Sequence, residues 1–381
     1  MKDMDLLLNI NNIGFIGFGL IGGSIARAIK ATHPNTLIHA YDYHSNPPSN
    51  NLLNSDLEKA LSDGVLDYVT GDLTKGFSDC DIIFLCAPVL ANISYLSKLK
   101  PIIKPSCIIT DVGSVKGNIH EAVNQLHMED IFIGGHPMTG SEKTGYSNSY
   151  ALLLENAYYI LTPTDKTQDN KLNLLKGLVM EMGSIPLILD PSQHDEITAA
   201  ISHVPHIIAA QLVNLIRESD EMSDKMKQLA AGGFKDITRI ASSSPEMWQN
   251  ICLTNADVIK NTLNRYIQAL MSVSQALTDM DGDYLYKMFD RAGEYRNSIP
   301  NKSTGLIHRV FEVFVDIKDE TGAIATIATL FANNHISIKN IGIIHNREFE
   351  EGVLRIEFYD QTSEEEAKIL LNKHKYQVHK R

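Results

Sequence analysis

The chain has 381 residues, 44% hydrophobic and 21% charged, too long for one ordinary domain and apolar enough to bury two or three cores. A net charge of −12 with no block of lysine and arginine excludes nucleic acid as an expected partner, and it means any anionic ligand needs a local positive pocket. Cys80, Cys86, Cys107 and Cys252 form no CxxC pair and no unbroken apolar run reaches ~18 residues, so reduced thiols, no membrane partner and a cytoplasmic setting are expected.

Through residue 190, short apolar runs alternate with segments of helical period. Runs at 13–17, 37–42, 81–87, 107–111, 131–134, 157–162 and 185–189 are mostly β-branched or aromatic-rich and predict strands buried on both faces of a parallel sheet. Between them, Ile25, Ala28 and Ile29 share one helical face, and SDLEKALSDG opens on Ser55 as N-cap and closes on Gly64. This alternation predicts an α/β domain over 1–190. Residues 191–297 read as all helix, in long segments such as DKMKQLAAGGFKDITRIA and PEMWQNICLTNADVIKNTLNRYIQALMSVSQAL. Residues 298–307 are polar with Pro and Gly, a linker, and 308–381 run β-α-β-β-α-β, the ferredoxin-like split unit.

Gly17-Phe-Gly19-Leu20-Ile21-Gly22 follows the first strand and opens a helix. Its glycines permit a tight turn and close approach of a pyrophosphate to the positive end of that helix, the fingerprint of a Rossmann-type domain. Asp42 ends the second strand 20 residues after Gly22, where a carboxylate bonds a ribose 2′-hydroxyl and repels a 2′-phosphate; NAD is therefore favoured over NADP. Ala87 and Pro88 end another strand on the same sheet edge and are candidates for a wall of the cofactor site. In DVGSVK, Ser114 is equally a crevice hydrogen-bonding group or a helix cap, and Lys116 a charge or the start of a solvated helix.

The stretch GGHPMTGSEKTGY, residues 134–146, sets His136 between flexible glycines and a rigid proline, which by itself reads first as a turn with an incidental histidine and otherwise as an imidazole held in a fixed direction. His194, His203 and His206 lie close in sequence, but no cysteine is near and Pro205 interrupts them, so no metal site is expected. Trp248, the only tryptophan, is equally a pocket edge or core packing.

Taken in order, GFGLIGGS, DVGSVK, GGHPMTGSEKTGY, SHVPHIIAAQLV and FKDITRIASSSPEMWQN resemble the prephenate dehydrogenase family over roughly residues 12–296. The tail DETGAIATIATLFANNHISIKNIGI resembles the ACT module, with Ser337 where that pattern often has Asn. The resemblance implies NAD-dependent oxidative decarboxylation of prephenate in tyrosine biosynthesis. It makes His136 the acceptor of the substrate hydroxyl proton and gives Ser114 a bond to the same hydroxyl. It makes Arg239 the clamp on a substrate carboxylate, with His206 facing the substrate pocket and His194 near it. It implies a homodimer through the helical domain and an amino-acid effector on the ACT module near Gly322 and Asn340, tyrosine by the logic of feedback. Two rivals remain: an arogenate dehydrogenase, and a non-catalytic sensor of NAD and amino acids, which needs neither His136 nor Arg239.

Overall fold

The structure, a computed structural model, describes residues 10–41, 54–141, 143–220, 224–299, 311–317, 321–344 and 352–379. Contacts divide the chain into two compact units, 1–305 and 306–381, so the α/β and helical parts share the first. Within it β1 (Asn12–Ile16), β2 (Leu37–Tyr41), β3 (Tyr68–Thr70), β4 (Ile82–Leu85) and β5 (Ile108–Asp111) form a parallel sheet in the order β3-β2-β1-β4-β5. Ile13, Phe15, Ile38 and Phe84 face one core, while Ile16, Ile83, Leu85 and Ile109 face the other, which is why these strands are unbroken apolar runs. Helix α1 (Leu20–Thr32) packs Ile25, Ala28 and Ile29 on the first face. Past α2 (Ser55–Ser62) and α3 (Leu73–Phe77), α4 (Val89–Leu99) packs Leu96 and Leu99 on the second. The chain therefore leaves β1 and β4 in opposite directions, and a crevice opens between their carboxyl ends.

Three sequence expectations change. Only the first four of the seven predicted runs, with the unforeseen β3, belong to the parallel sheet. Beyond α5 (Gly117–Gln125), β6 (Ile133–Pro137) pairs antiparallel with β7 (Tyr158–Pro163), which past α6 (Asp169–Glu181) pairs in parallel with β8 (Ile185–Ile188). An apolar run carries no strand direction, and β8 is half exposed. The N-cap of α2 is Asn54, whose side chain accepts the Asp56 N–H at 3.0 Å, and Ser55 is the first helical residue.

The helical part opens with α7 (Pro191–Thr198), a π-turn (Ala199–His203) and α8 (Val204–Ser219) in one continuous rod. The Val204 N–H reaches back to the Ala199 carbonyl, and this wider turn sits just before Pro205, whose ring obstructs regular α geometry. Within this rod of 29 residues the most apolar stretch of 18 has a mean hydropathy of 1.4, and among the described residues the rod is the one helix long and apolar enough to cross a membrane. Interspersed His, Asp and Glu residues keep it from forming an unbroken apolar run, and His194, Asp195 and His203 of this rod are buried inside the unit. The next predicted helix breaks into α9 (Lys225–Leu229), α10 (Gly232–Thr238) and a 3-10 turn (Arg239–Ser242). The one after divides at Asn255 into α11 (Pro245–Thr254) and α12 (Ala256–Thr278), followed by α13 (Gly282–Ser298). Most of the predicted linker lies outside the described residues.

In the second unit β9 (Phe311–Ile317), α14 (Ala323–Asn333), β10 (Ile338–Ile344), β11 (Gly352–Phe358), α15 (Gln361–Lys373) and β12 (Val378–His379) follow the predicted order. The sheet is antiparallel in the order β10-β11-β9-β12, with Ile327, Phe331, Ala367 and Leu371 packed on Val313, Val315, Leu354 and Ile356. This is the ferredoxin-like arrangement of an ACT module. Gly322, at φ +92°, opens α14 in a left-handed conformation that favours glycine. Asn340 is exposed on β10 at a register shift against β11.

Candidate active site

The dinucleotide turn is built from close approach. A Cβ on Gly17 would lie 2.7 Å from the backbone of Cys86 and Ala87, and one on Gly22 would lie 2.8 Å from the Gly17 carbonyl. A Cβ on Gly19 would meet nothing within 4 Å, and no side chain caps α1, so its first-turn amides at Leu20 and Ile21 face a cradle that fits a pyrophosphate. Across the crevice, the Ala87 N–H donates to Asn92 Oδ1 at 3.1 Å while Asn92 Nδ2 donates to the Leu85 carbonyl at 3.1 Å. Asn92 is fully buried and fixes the loop carrying Ala87 and Pro88, a role no sequence motif announces. Asp42 lies outside the described residues.

The far end of the GGHPMTGSEKTGY stretch is fastened to this turn. Tyr146 stacks on Phe18 at 5.5 Å and its hydroxyl donates to Asp63 at 3.0 Å. At the near end, β6 runs hard against β5, where a Cβ on Gly135 would come 2.6 Å from the Asp111 carbonyl. Paired glycines are thus what lets the strand bearing His136 reach the edge of the nucleotide sheet.

Around His136 the groups are buried and joined. Asp111 accepts the Gly135 N–H at 3.1 Å, the Gly113 N–H at 2.9 Å and the Lys116 ammonium. Asp111 and Lys116 have no side-chain exposure, so Lys116 is neither a crevice charge nor the start of a solvated helix. His136 Nδ1 lies 2.8 Å from His194 Nε2, and His194 Nδ1 lies 2.8 Å from Asp195 Oδ1. Asp195 also accepts the backbone N–H of Lys116 at 2.7 Å and of Gly117 at 2.8 Å, capping α5. Burial would raise the Asp195 carboxyl, but these hydrogen bonds outweigh it and hold it below the usual carboxylate range. Burial first, and then repulsion of an added proton by Lys116 and by neighbouring His194 and His203 once they too are protonated, pushes the His136 imidazole well below its ordinary value. Burial pushes His194 down too, against the Asp195 bond. Both rings are neutral at pH 7, and half-buried His136 reaches the surface. His194 is fully buried behind His136, with Nε2 engaged by His136 and Nδ1 by Asp195, so neither ring nitrogen is left over. Ser114 is half-buried between β5 and α5, two residues from Lys116.

The other side is more open. His206 Nδ1–H donates to the Ser202 carbonyl at 2.8 Å, and its ring stacks on Trp248 with centroids 3.8 Å apart. Burial and then the Arg239 charge lower its pKa, and the 3-10 turn that opens on Arg239 packs against α8, the helix of His206. Arg239 is exposed at the start of the 3-10 turn. The buried Trp248 indole N–H lacks a partner among the described residues. His203 is a core histidine: burial pushes it to about 4, and its Nδ1 is 3.2 Å from Asn255 Nδ2, which also donates to the Asp195 carbonyl at 3.1 Å. Asn255, at the break between α11 and α12, thus ties that break to the rod of α7 and the π-turn.

The comparisons with known proteins fall on this same unit and extend past it. The nucleotide-binding domain of prephenate dehydrogenase matches residues 25–185, and the dimerization domain of prephenate dehydrogenase matches residues 190–291. A prephenate dehydrogenase of Bacillus subtilis is 37% identical, covering 96% of this chain and 95% of its own, so the likeness includes the C-terminal unit. A crystal structure of prephenate dehydrogenase from A. aeolicus in complex with hydroxyphenyl propionate and NAD+ has a TM-score of 0.68 at 30% identity, covering 77% of this chain and 99% of that one. A Synechocystis arogenate dehydrogenase has a TM-score of 0.65 at 28% identity, covering 76% and 100%. With the nucleotide turn and the glycine-bounded histidine in place, the chain belongs to the prephenate dehydrogenase family.

Proposed function

We propose that the protein oxidises and decarboxylates prephenate to 4-hydroxyphenylpyruvate, using NAD. Residues 1–190 hold the dinucleotide, 191–297 complete the substrate pocket and pair two copies, and 308–381 regulate. The observation that carries this reading is a neutral His136 fixed at the edge of the nucleotide-binding sheet. The bound dinucleotide supplies the hydride acceptor. His136 accepts the hydrogen bond of the C4 hydroxyl and draws its proton as hydride leaves C4. The electrons of the bond to the ring carboxylate enter the ring as carbon dioxide departs, and the proton returns to the oxygen of the new phenol. Ser114 bonds the same hydroxyl. Arg239, close to His206, grips a substrate carboxylate through its planar fork and gives an acidic protein the positive pocket it needs. The C-terminal unit binds tyrosine and slows the reaction by feedback, with Gly322 and Asn340 near the effector.

The test is NADH formation from prephenate and from arogenate, under NAD and NADP, with and without tyrosine. Rapid turnover of prephenate with NAD, suppressed by tyrosine, is the expected result. Turnover of arogenate alone would keep the chemistry and change the substrate, a reading favoured by the Synechocystis relative. His136→Asn is expected to lower kcat by about a thousandfold while NAD still binds, and undiminished turnover would remove His136 as the acceptor.

A further inference from the structure

Resting on His136 as the proton acceptor, we infer that Asp195, acting through His194, is a positioning residue that keeps the His136 proton on Nδ1 and leaves Nε2 as the accepting nitrogen. The polarity follows from the inventory of donors and acceptors. An ionised carboxylate only accepts, so His194 Nδ1, 2.8 Å from Asp195 Oδ1, carries a hydrogen. A neutral imidazole has one hydrogen, so His194 Nε2 is a lone pair, and at 2.8 Å it can only accept from His136 Nδ1–H. His136 is neutral as well, and its remaining nitrogen, Nε2, is then a lone pair on a half-buried ring. Asp195 is well placed to set the direction because it is itself pinned, with the amides of Lys116 and Gly117 on its two oxygens. Those amides come from the segment that carries Ser114, so one carboxylate orients the base and anchors the loop beside it.

Two variants at His194 leave the Asp195 cap intact and separate polarity from packing. His194→Phe fills the space with a ring but removes the acceptor. His194→Gln offers one donor and one acceptor on a single amide and restores the direction of the chain. We expect His194→Phe to lower kcat about a hundredfold and His194→Gln to stay within about tenfold of the parent enzyme, both binding NAD within about twofold. Asp195→Ala should resemble His194→Phe. In full-length enzyme with 15N-labelled histidine rings, His136 (identified by its loss in His136→Asn) should carry its hydrogen on Nδ1 in the parent and in His194→Gln, and shift towards Nε2 in His194→Phe. Equal kcat for the Phe and Gln variants, or an unchanged His136 tautomer in His194→Phe, would overturn the proposal. A fully active His136→Asn would instead remove the base reading on which it rests.

Discussion

The two sides of the proposed site are built on opposite plans. On the base side, Asp111, Lys116, His194 and Asp195 are all buried, and each is bonded to at least one other or to the loop they share. On the clamp side, Arg239 is exposed and His206 half-buried, resting on the face of Trp248. A proton acceptor works only from one tautomer in one orientation, so the fold completes that side in advance. A carboxylate clamp is completed by the ligand. The contrast teaches that damage to the base side should register in stability and kcat, and damage to the clamp side in KM.

The largest effect should come from breaking the buried ion pair. Lys116→Met leaves Asp111 uncompensated in the core and is expected to cost about 3–5 kcal/mol of unfolding free energy, read from denaturant melts. The matched clamp-side change, Arg239→Ala, should move the melt by less than about 0.5 kcal/mol. Comparable losses from both would erase the distinction.

Acid should find the buried histidines next. His203 and His120 are pushed to about 4, chiefly by burial, against 6.5 for an ordinary imidazole, and His136 and His194 are also lowered. The unfolded chain therefore takes up protons first, so their contribution is whole above ~6.5 and is lost as pH falls towards 4. His203 alone is worth on the order of 3 kcal/mol across that window. Asp195, with its carboxyl lowered, extends the loss to still lower pH, since its contribution disappears only as pH falls through its folded value. Urea midpoints measured from pH 7 to pH 4 should fall steadily in the parent and less steeply in His203→Asn. A flat parent profile would mean these rings accept protons without leaving the fold. For the same reason kcat/KM should hold its neutral-pH value well below pH 6.5.

What the sequence revealed and what it hid divide along the same line. The glycine turn, the strand-helix alternation and the glycines before His136 are local, because each acts on backbone within a few residues. Lys116 read equally as a charge or as the start of a solvated helix because spacing says nothing of burial. Asp195 and Asn255 carried no local signal: the first works on amides 78 and 79 residues away, the second on a carbonyl 60 residues away. His194 stood out only as part of a histidine cluster, and its position behind His136 depends on a 2.8 Å contact between residues 58 apart. The second sheet was misread as part of the first because both have the same apolar pattern.

On the clamp side, Arg239→Ala is expected to raise KM for prephenate about 10–100-fold with kcat changed far less, and Arg239→Lys to fall between, since an ammonium keeps the charge and loses the fork. A fall in kcat with KM unchanged would mean that Arg239 acts on the transition state alone, and the clamp would have to be sought elsewhere.

The smallest effects belong to the C-terminal unit, where a strained helix-entry residue and an exposed strand residue can be set against each other in the same way. Gly322, at φ +92°, is where a side chain is strained whatever the space, so Gly322→Ala should cost about 1 kcal/mol. Asn340 is exposed, and Asn340→Ala should leave the melt of the unit unchanged within about 0.5 kcal/mol. If Asn340 touches the effector and Gly322 only opens a helix, tyrosine inhibition weakens in Asn340→Ala and survives in Gly322→Ala, with basal turnover of prephenate the same in both. Inhibition intact in Asn340→Ala and lost in Gly322→Ala would put the effector at the turn before α14 instead.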